Sequence, residues 1–165
     1  MYRDKVIDEM KLVFKEVPYG IEHTLRVLHN ADEIMTGEVV DQEMREIISL
    51  SAILHDIGAI EAQRKHGSMD GHFQEIEGPA IAKEILERIG VPDSVIERVC
   101  YIVGNHHTPS KIDGIDFQIL WEADLLDSLE YGERSKTLEQ LHTEIQGNFK
   151  TATGNRLALK RLGLI

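Results

Sequence analysis

With a single cysteine, Cys100, the chain can build neither a disulfide framework nor a thiolate metal site. Its neighbours Val99 and Ile102 are apolar, so the thiol is expected in the core. A long hydrophobic run is missing too. The opening MYRDKVIDEMKLVF mixes charged and apolar residues at helical spacing, which suits neither a signal peptide nor a membrane span. A cytoplasmic protein without a membrane partner is expected. Basic charge is scarce, with 18 Lys and Arg against 29 Asp and Glu and a formal net charge of −11. Phosphate backbones require clustered cations, so bulk nucleic acid is not an expected partner. The exception is the stretch 145–165, where Lys150, Arg156, Lys160 and Arg161 stand without an acid, as in a solvated basic helix or a phosphate-facing tail. The sequence also lacks Pro/Gly/Ser-rich linkers, internal repeats and sustained apolar–polar alternation, which together predict one domain over 1–165 and an all-α fold.

What is present is helical periodicity. A first helix is predicted over about 2–16, ended by VPYG, where Pro18 and Gly20 break it. A second runs to about residue 35, with Ile21, Leu25, Leu28 and Met35 on its core face, and Gly37 closes it. The third, about 42–56, is apolar nearly all round near its end, as befits the middle of a bundle. GAIEAQRKHGSMDG (58–71) reads as a long loop carrying Arg64, Lys65 and His66. One helix is then expected from Pro79 to Gly90 and another from Pro92 toward VGNHHTP. About 116–131, a polar helix about 133–146 and a last one ending near 162 complete the series.

The third helix ends in adjacent His55 and Asp56, which cost free energy to bury unless something compensates them. Seven of the eight histidines lie before residue 110, several beside acids. A cation would compensate the pair: where the last turn opens at Gly58, both side chains can reach one ion, and the negative end of the helix dipole favours it. His23 shares a helix strip with Arg26 and Asn30 at the border of the apolar face, a natural third ligand. Asp124 in WEADLLDSLE lies on an otherwise apolar face, with Asp127 one turn on, and is the fourth. Histidine and carboxylate ligands suit a divalent Fe, Mn, Co, Ni or Zn. His29, His66 and His142 have no comparable surroundings and read as surface histidines.

The ordered set His23, His55–Asp56 and Asp124, carried by HTLRVLHNA, ILHDIG, EGPAIAKEIL and ADLLDSLE, resembles the HD-domain superfamily of metal-dependent phosphohydrolases over about 20–131, leaving C-terminal helices over about 133–163. The resemblance implies an HD-type helical bundle acting on a small phosphorylated substrate, a nucleotide or related phosphomonoester or phosphodiester. In the superfamily's dinuclear branch an adjacent histidine pair, here His106 and His107, and a further histidine, here His72, hold a second metal that Asp56 bridges to the first. His72 lies six residues before Gly78, whereas that branch places its histidine about four before, where Gln74 stands. Ala59 replaces the branch's common Lys after HDIG, and no GYP follows the histidine pair, so cleavage of cyclic dinucleotides is not implied.

On this reading one or two ions polarise the phosphoryl group and activate water. With two ions Asp56 bridges; with one, Asp127 or Glu75 helps to position the water. Arg26 is the leading candidate for substrate phosphate, with Arg64 and Lys65 as alternatives. Two rival readings use the same ligands: a mixed-valent diiron oxygenase, and a non-catalytic module that senses a metal-bound nucleotide.

Overall fold

The computed structural model describes residues 2–132 and 135–165. Among these residues the chain is helical without strands. Its helices are α1 (Arg3–Val13), α2 (Pro18–Thr36), α3 (Gln42–Leu54), α4 (Ala59–His66), α5 (Gly71–Ile89), α6 (Asp93–Val103), α7 (Ile115–Tyr131), α8 (Leu138–Asn148) and α9 (Ala152–Arg161), with a 3₁₀ turn at Pro109–Lys111. The boundaries follow local chemistry. Pro18 opens α2, where its missing N–H costs nothing. The Asp41 carboxylate caps α3 by accepting from Met44 N at 2.8 Å. Gly67 and Gly90 end α4 and α5 at φ of 71° and 93°, a conformation that a side chain disfavours.

Every residue of α3 from Ile47 to Leu54 is buried, and the helix packs against α1, α2, α6 and α7 as the axis of the bundle. The main core gathers around it, including Val6, Met10, Ile34, Ile53, Ile102 and Phe117. A smaller cluster of Leu126, Leu129, Ile145, Phe149 and Ala158 seats α8 and α9 on α7. The fully buried Glu122 ties that attachment together. Its carboxylate accepts from Gln118 Nε2 at 2.6 Å, Lys150 N at 2.8 Å, Thr151 N at 3.0 Å and Thr151 Oγ1 at 2.6 Å. Cys100 is half-buried against the main core, with its thiol facing the Pro79 carbonyl at 3.5 Å.

Two expectations need correction. The stretch 58–71 is mostly helix, since α4 fills it up to the left-handed Gly67. The next helix starts at Gly71 rather than Pro79, so Pro79 sits inside α5 and the Glu75 carbonyl forgoes its usual helical N–H donor. The polar helix is α8 and starts at Leu138; its expected start at residue 133 lies outside the described residues. Among the described residues no helix is long and apolar enough to cross a membrane. Of the C-terminal basic residues, Lys150, Arg156 and Lys160 are exposed, whereas Arg161 turns back to Asn30, Glu33 and Glu130.

Candidate metal centre

α2, α3 and α7 meet where His23, His55, Asp56 and Asp124 converge. His55 is the C-terminal cap of α3, and Asp56 begins the turn that leads into α4. His23 Nε2 lies 3.2 Å from each of His55 Nε2, Asp56 Oδ2 and Asp124 Oδ1. His55 Nε2 lies 3.2 Å from Asp56 Oδ2 and 3.4 Å from Asp124 Oδ1. A cation bound about 2.0–2.2 Å from each donor spreads neighbouring ligands about 3.0–3.5 Å apart, so His23, His55 and Asp56 fit as a group, with Asp124 Oδ1 at similar distances from both imidazoles.

Proton positions make the same point. His55 Nδ1 faces the Ala52 carbonyl at 2.7 Å and must carry the hydrogen, which leaves the Nε2 lone pair aimed into the cluster. His23 Nδ1 faces Asp127 Oδ2 at 2.6 Å with the same result. With both imidazoles neutral, the lone pairs of two imidazoles and two carboxylates converge with no donor among them, a conflict that either protons on Nε2 or a cation resolves. Burial opposes charge on His23, yet hydrogen bonds to Asp124, Asp127 and Asp56 push its pKa up to about 12. His55 is likewise opposed by burial and pushed up to about 10 by the charges of Asp56 and Asp124. Against desolvation, the imidazoles in turn hold both carboxyls well below their ordinary range. These shifts reflect the demand of two enclosed carboxylates for positive charge.

Asp56 faces a second group as well. Its Oδ1 lies 3.3 Å from His106 Nε2, and Asp56, His106 and His107 together could hold an ion. His106 Nδ1 donates to the Val103 carbonyl at 2.7 Å, so its Nε2 also offers a lone pair. Burial, followed by the charge of His106, lowers the pKa of His107 and favours its neutral, ligating form. Gln74 Oε1 stands 3.3 Å from Nε2 of both histidines. It is the site residue that was missed as a participant, although its place four residues before Gly78 was a signal.

The chain reaches this geometry through close backbone approach. A Cβ on Gly58 would meet Gly78 N at 2.6 Å and the Gln74 carbonyl at 2.8 Å, so the His55–Asp56 turn rests directly on α5. A Cβ on Gly71 would meet the His107 ring at 2.5 Å. Both contacts need glycine.

Other expected site residues lie differently. His72 is exposed, with its ring against Phe73, and is not brought to the cluster. Two helical residues are about 200° apart, so turning Gln74 inward turns His72 outward. Glu75 accepts from His107 N at 2.9 Å and from the Thr108 hydroxyl at 2.8 Å, fixing the turn that carries the histidine pair. Asp127 orients His23 and pairs with Arg26, whose Nε lies 2.6 Å from Oδ1 and whose guanidinium stacks 4.3 Å from the Tyr131 ring centre. Arg64 pairs with Glu61, and Lys65 with Glu77 at 3.0 Å; neither contact involves the cluster. His29 and His142 are exposed, while His66 pairs with Glu77 and stacks on Phe73. Beside Arg26 and Asp127 opens a cavity of about 470 Å³, lined also by Asn30, Tyr131 and Arg161.

Comparison with known proteins places this geometry among relatives. The HD domain family model matches residues 20–144. A bifunctional uridylyltransferase/uridylyl-removing enzyme from two strains of Caulobacter vibrioides is 34% identical over 96 residues, covering 52% of this chain and 9% of the relative. The chain thus spans about a tenth of the length of the curated relatives it matches. A crystal structure of a predicted HD superfamily hydrolase from an uncultured Thermotogales bacterium superposes with a TM-score of 0.72 at 24% identity, covering 99% of this chain and 86% of that one. That likeness is one of fold.

Proposed function

This chain belongs to the HD domain family, and from that premise we propose that it is a metal-dependent phosphohydrolase acting on a small phosphoester, a nucleotide or related phosphomonoester or phosphodiester. The observation that carries the reading is the cage of His23, His55, Asp56 and Asp124, in which the two imidazole Nε2 atoms stand 3.2–3.4 Å from each other and from both carboxylates. The uridylyl-removing relative favours a nucleotidyl phosphoester within that class. A net charge of −11 disfavours long polyanions and leaves a small substrate as the partner.

A divalent cation, Fe, Mn, Co, Ni or Zn by its ligands, supplies Lewis acidity and a water that ionises near neutral pH. The chain's own groups do the rest. Asp56 turns Oδ2 to one cage and Oδ1 to the other and ties them together. Asp127 keeps the His23 proton on Nδ1, and Glu75 holds the His106–His107 turn in place. Arg26 stays aligned by Asp127 at the cavity edge, where its positive charge meets the substrate phosphate. Tyr131 and Arg161 line the space for the remainder of the substrate.

The test is metal analysis of protein purified without affinity-tag nickel, then a phosphatase and phosphodiesterase panel with each metal restored. Metal-dependent release of phosphate or nucleotide is expected. Substrate-linked oxygen uptake by iron-loaded protein without phosphoester cleavage would establish the diiron oxygenase instead. Tight nucleotide binding without turnover would establish a sensing module.

A further inference from the structure

We propose that Gln74 is a ligand of a second cation, held together with Asp56, His106 and His107, and that its neutral amide oxygen makes this the weaker of two unequal positions. The inference rests on the metal centre proposed above and adds to it a ligand and an order of filling.

The amide is oriented by its own hydrogen bond. Gln74 Nε2 donates to the Met69 carbonyl at 2.8 Å; reversing the amide would set two acceptor oxygens against each other, so Oε1 is the atom that faces the histidines. There it stands 3.3 Å from His106 Nε2, whose ring proton is committed to Val103 on the other nitrogen. The same Nε2 faces Asp56 Oδ1 at 3.3 Å. One nitrogen lone pair thus faces an amide oxygen and a carboxylate oxygen with no hydrogen to share. His107 Nε2 closes the group 3.3 Å from Gln74 Oε1. Four donor atoms on three elements converge as ligands do. The contact of Gly58 with the backbone of Gln74 and Gly78 holds the amide side of this group against the Asp56 side.

The unequal strength follows from charge. The first cage sets two carboxylates, Asp56 and Asp124, beside its imidazoles. The second has only the shared Asp56, and Gln74 adds an oxygen without charge. A second cation also enters against repulsion from the first. An amide oxygen in place of an imidazole shifts preference toward oxygen-favouring Mn²⁺ and away from Zn²⁺.

The test is Mn²⁺ titration of the chelator-treated full chain, following free Mn²⁺ by electron paramagnetic resonance and heat by calorimetry. Wild type should bind one ion tightly and a second at least about tenfold more weakly. Gln74→Ala should weaken the second step by about a further tenfold and leave the first unchanged, with circular dichroism confirming the fold. Gln74→Glu should tighten the second step. A second step of unchanged affinity in both variants would overturn the role of Gln74 while leaving the metal centre intact. Two steps of equal affinity in wild type would overturn the order of filling. Absence of any Mn²⁺ binding would overturn the metal centre and this inference together.

Discussion

At the scale of single residues, Asp56 has two tasks, because its two oxygens face different histidine groups. Asp56→Asn keeps the shape and removes the charge, so metal content should collapse and phosphoester hydrolysis fall by orders of magnitude while the helical circular-dichroism signal stays near wild type. A folded, metal-replete and active Asp56→Asn protein would remove Asp56 from the centre. His106→Ala should lower metal content from about two ions per chain to about one, with the His23 cage still filled. Asp127 acts one step back, through His23 Nδ1. Asp127→Asn should weaken the first metal by about 10–100-fold, read in the same titration, by loosening the ring that His23 presents.

At the scale of elements, the site depends on α5 lying unusually close to the turn after α3. Gly58→Ala brings a methyl group against backbone at 2.6–2.8 Å, where no side chain can rotate away. It should cost about 1–3 kcal/mol of stability. Because it pushes Gln74 away from Asp56, loss of the second ion should precede loss of the first in a chelator titration. The opposite face of α7 has a purely structural task. Glu122 lies two residues, about 200°, from Asp124 and accepts four hydrogen bonds, three of which, from Lys150 and Thr151, hold the start of α9. Glu122→Gln sets an amide donor against some of those donors and should cost about 1–3 kcal/mol. Thermal melting should detect that loss, while metal stoichiometry measured below the melting range should not change.

For the whole molecule, the proposed metal ligands come from α2, the turn after α3, α5, the turn after α6, and α7, so a bound ion would couple most of the bundle. Removing it should lower the melting temperature; a hundredfold excess of free metal over its dissociation constant corresponds to about 2.7 kcal/mol. Acid should weaken the stabilisation that the metal supplies. His23 and His55 are pushed up to about 12 and about 10 in the metal-free chain, so protons compete with the cation for Nε2. Metal affinity should therefore rise with pH between roughly 6 and 9, with proton release detectable in buffers of different ionisation enthalpy.

The all-α class, the central place of α3 and the convergence of His23, His55, Asp56 and Asp124 were legible in the order of residues. Periodicity reports which face of a helix is buried, and a charged residue on such a face must be satisfied. The stretch 58–71 was misjudged because a short polar helix between glycines has the composition of a loop, and Pro79 concealed the first eight residues of α5 behind a helix-breaking residue. Spacing from Gly78 marked the position of Gln74, but local pattern did not decide whether it or His72 faces the histidine pair. That choice depends on the rotation of α5 about its axis, which is set by contact of Gly58 with Gly78 and of Gly71 with the His107 ring. Asp127 and Glu75 face His23 and the histidine turn, contacts that no local pattern showed, since only the packed bundle determines which donors reach a carboxylate. The sequence by itself therefore determined which charged side chains on buried faces require a compensating partner. The tertiary structure decided how they gather into two groups, because that division depends on helix rotations and backbone contacts between residues far apart in the chain.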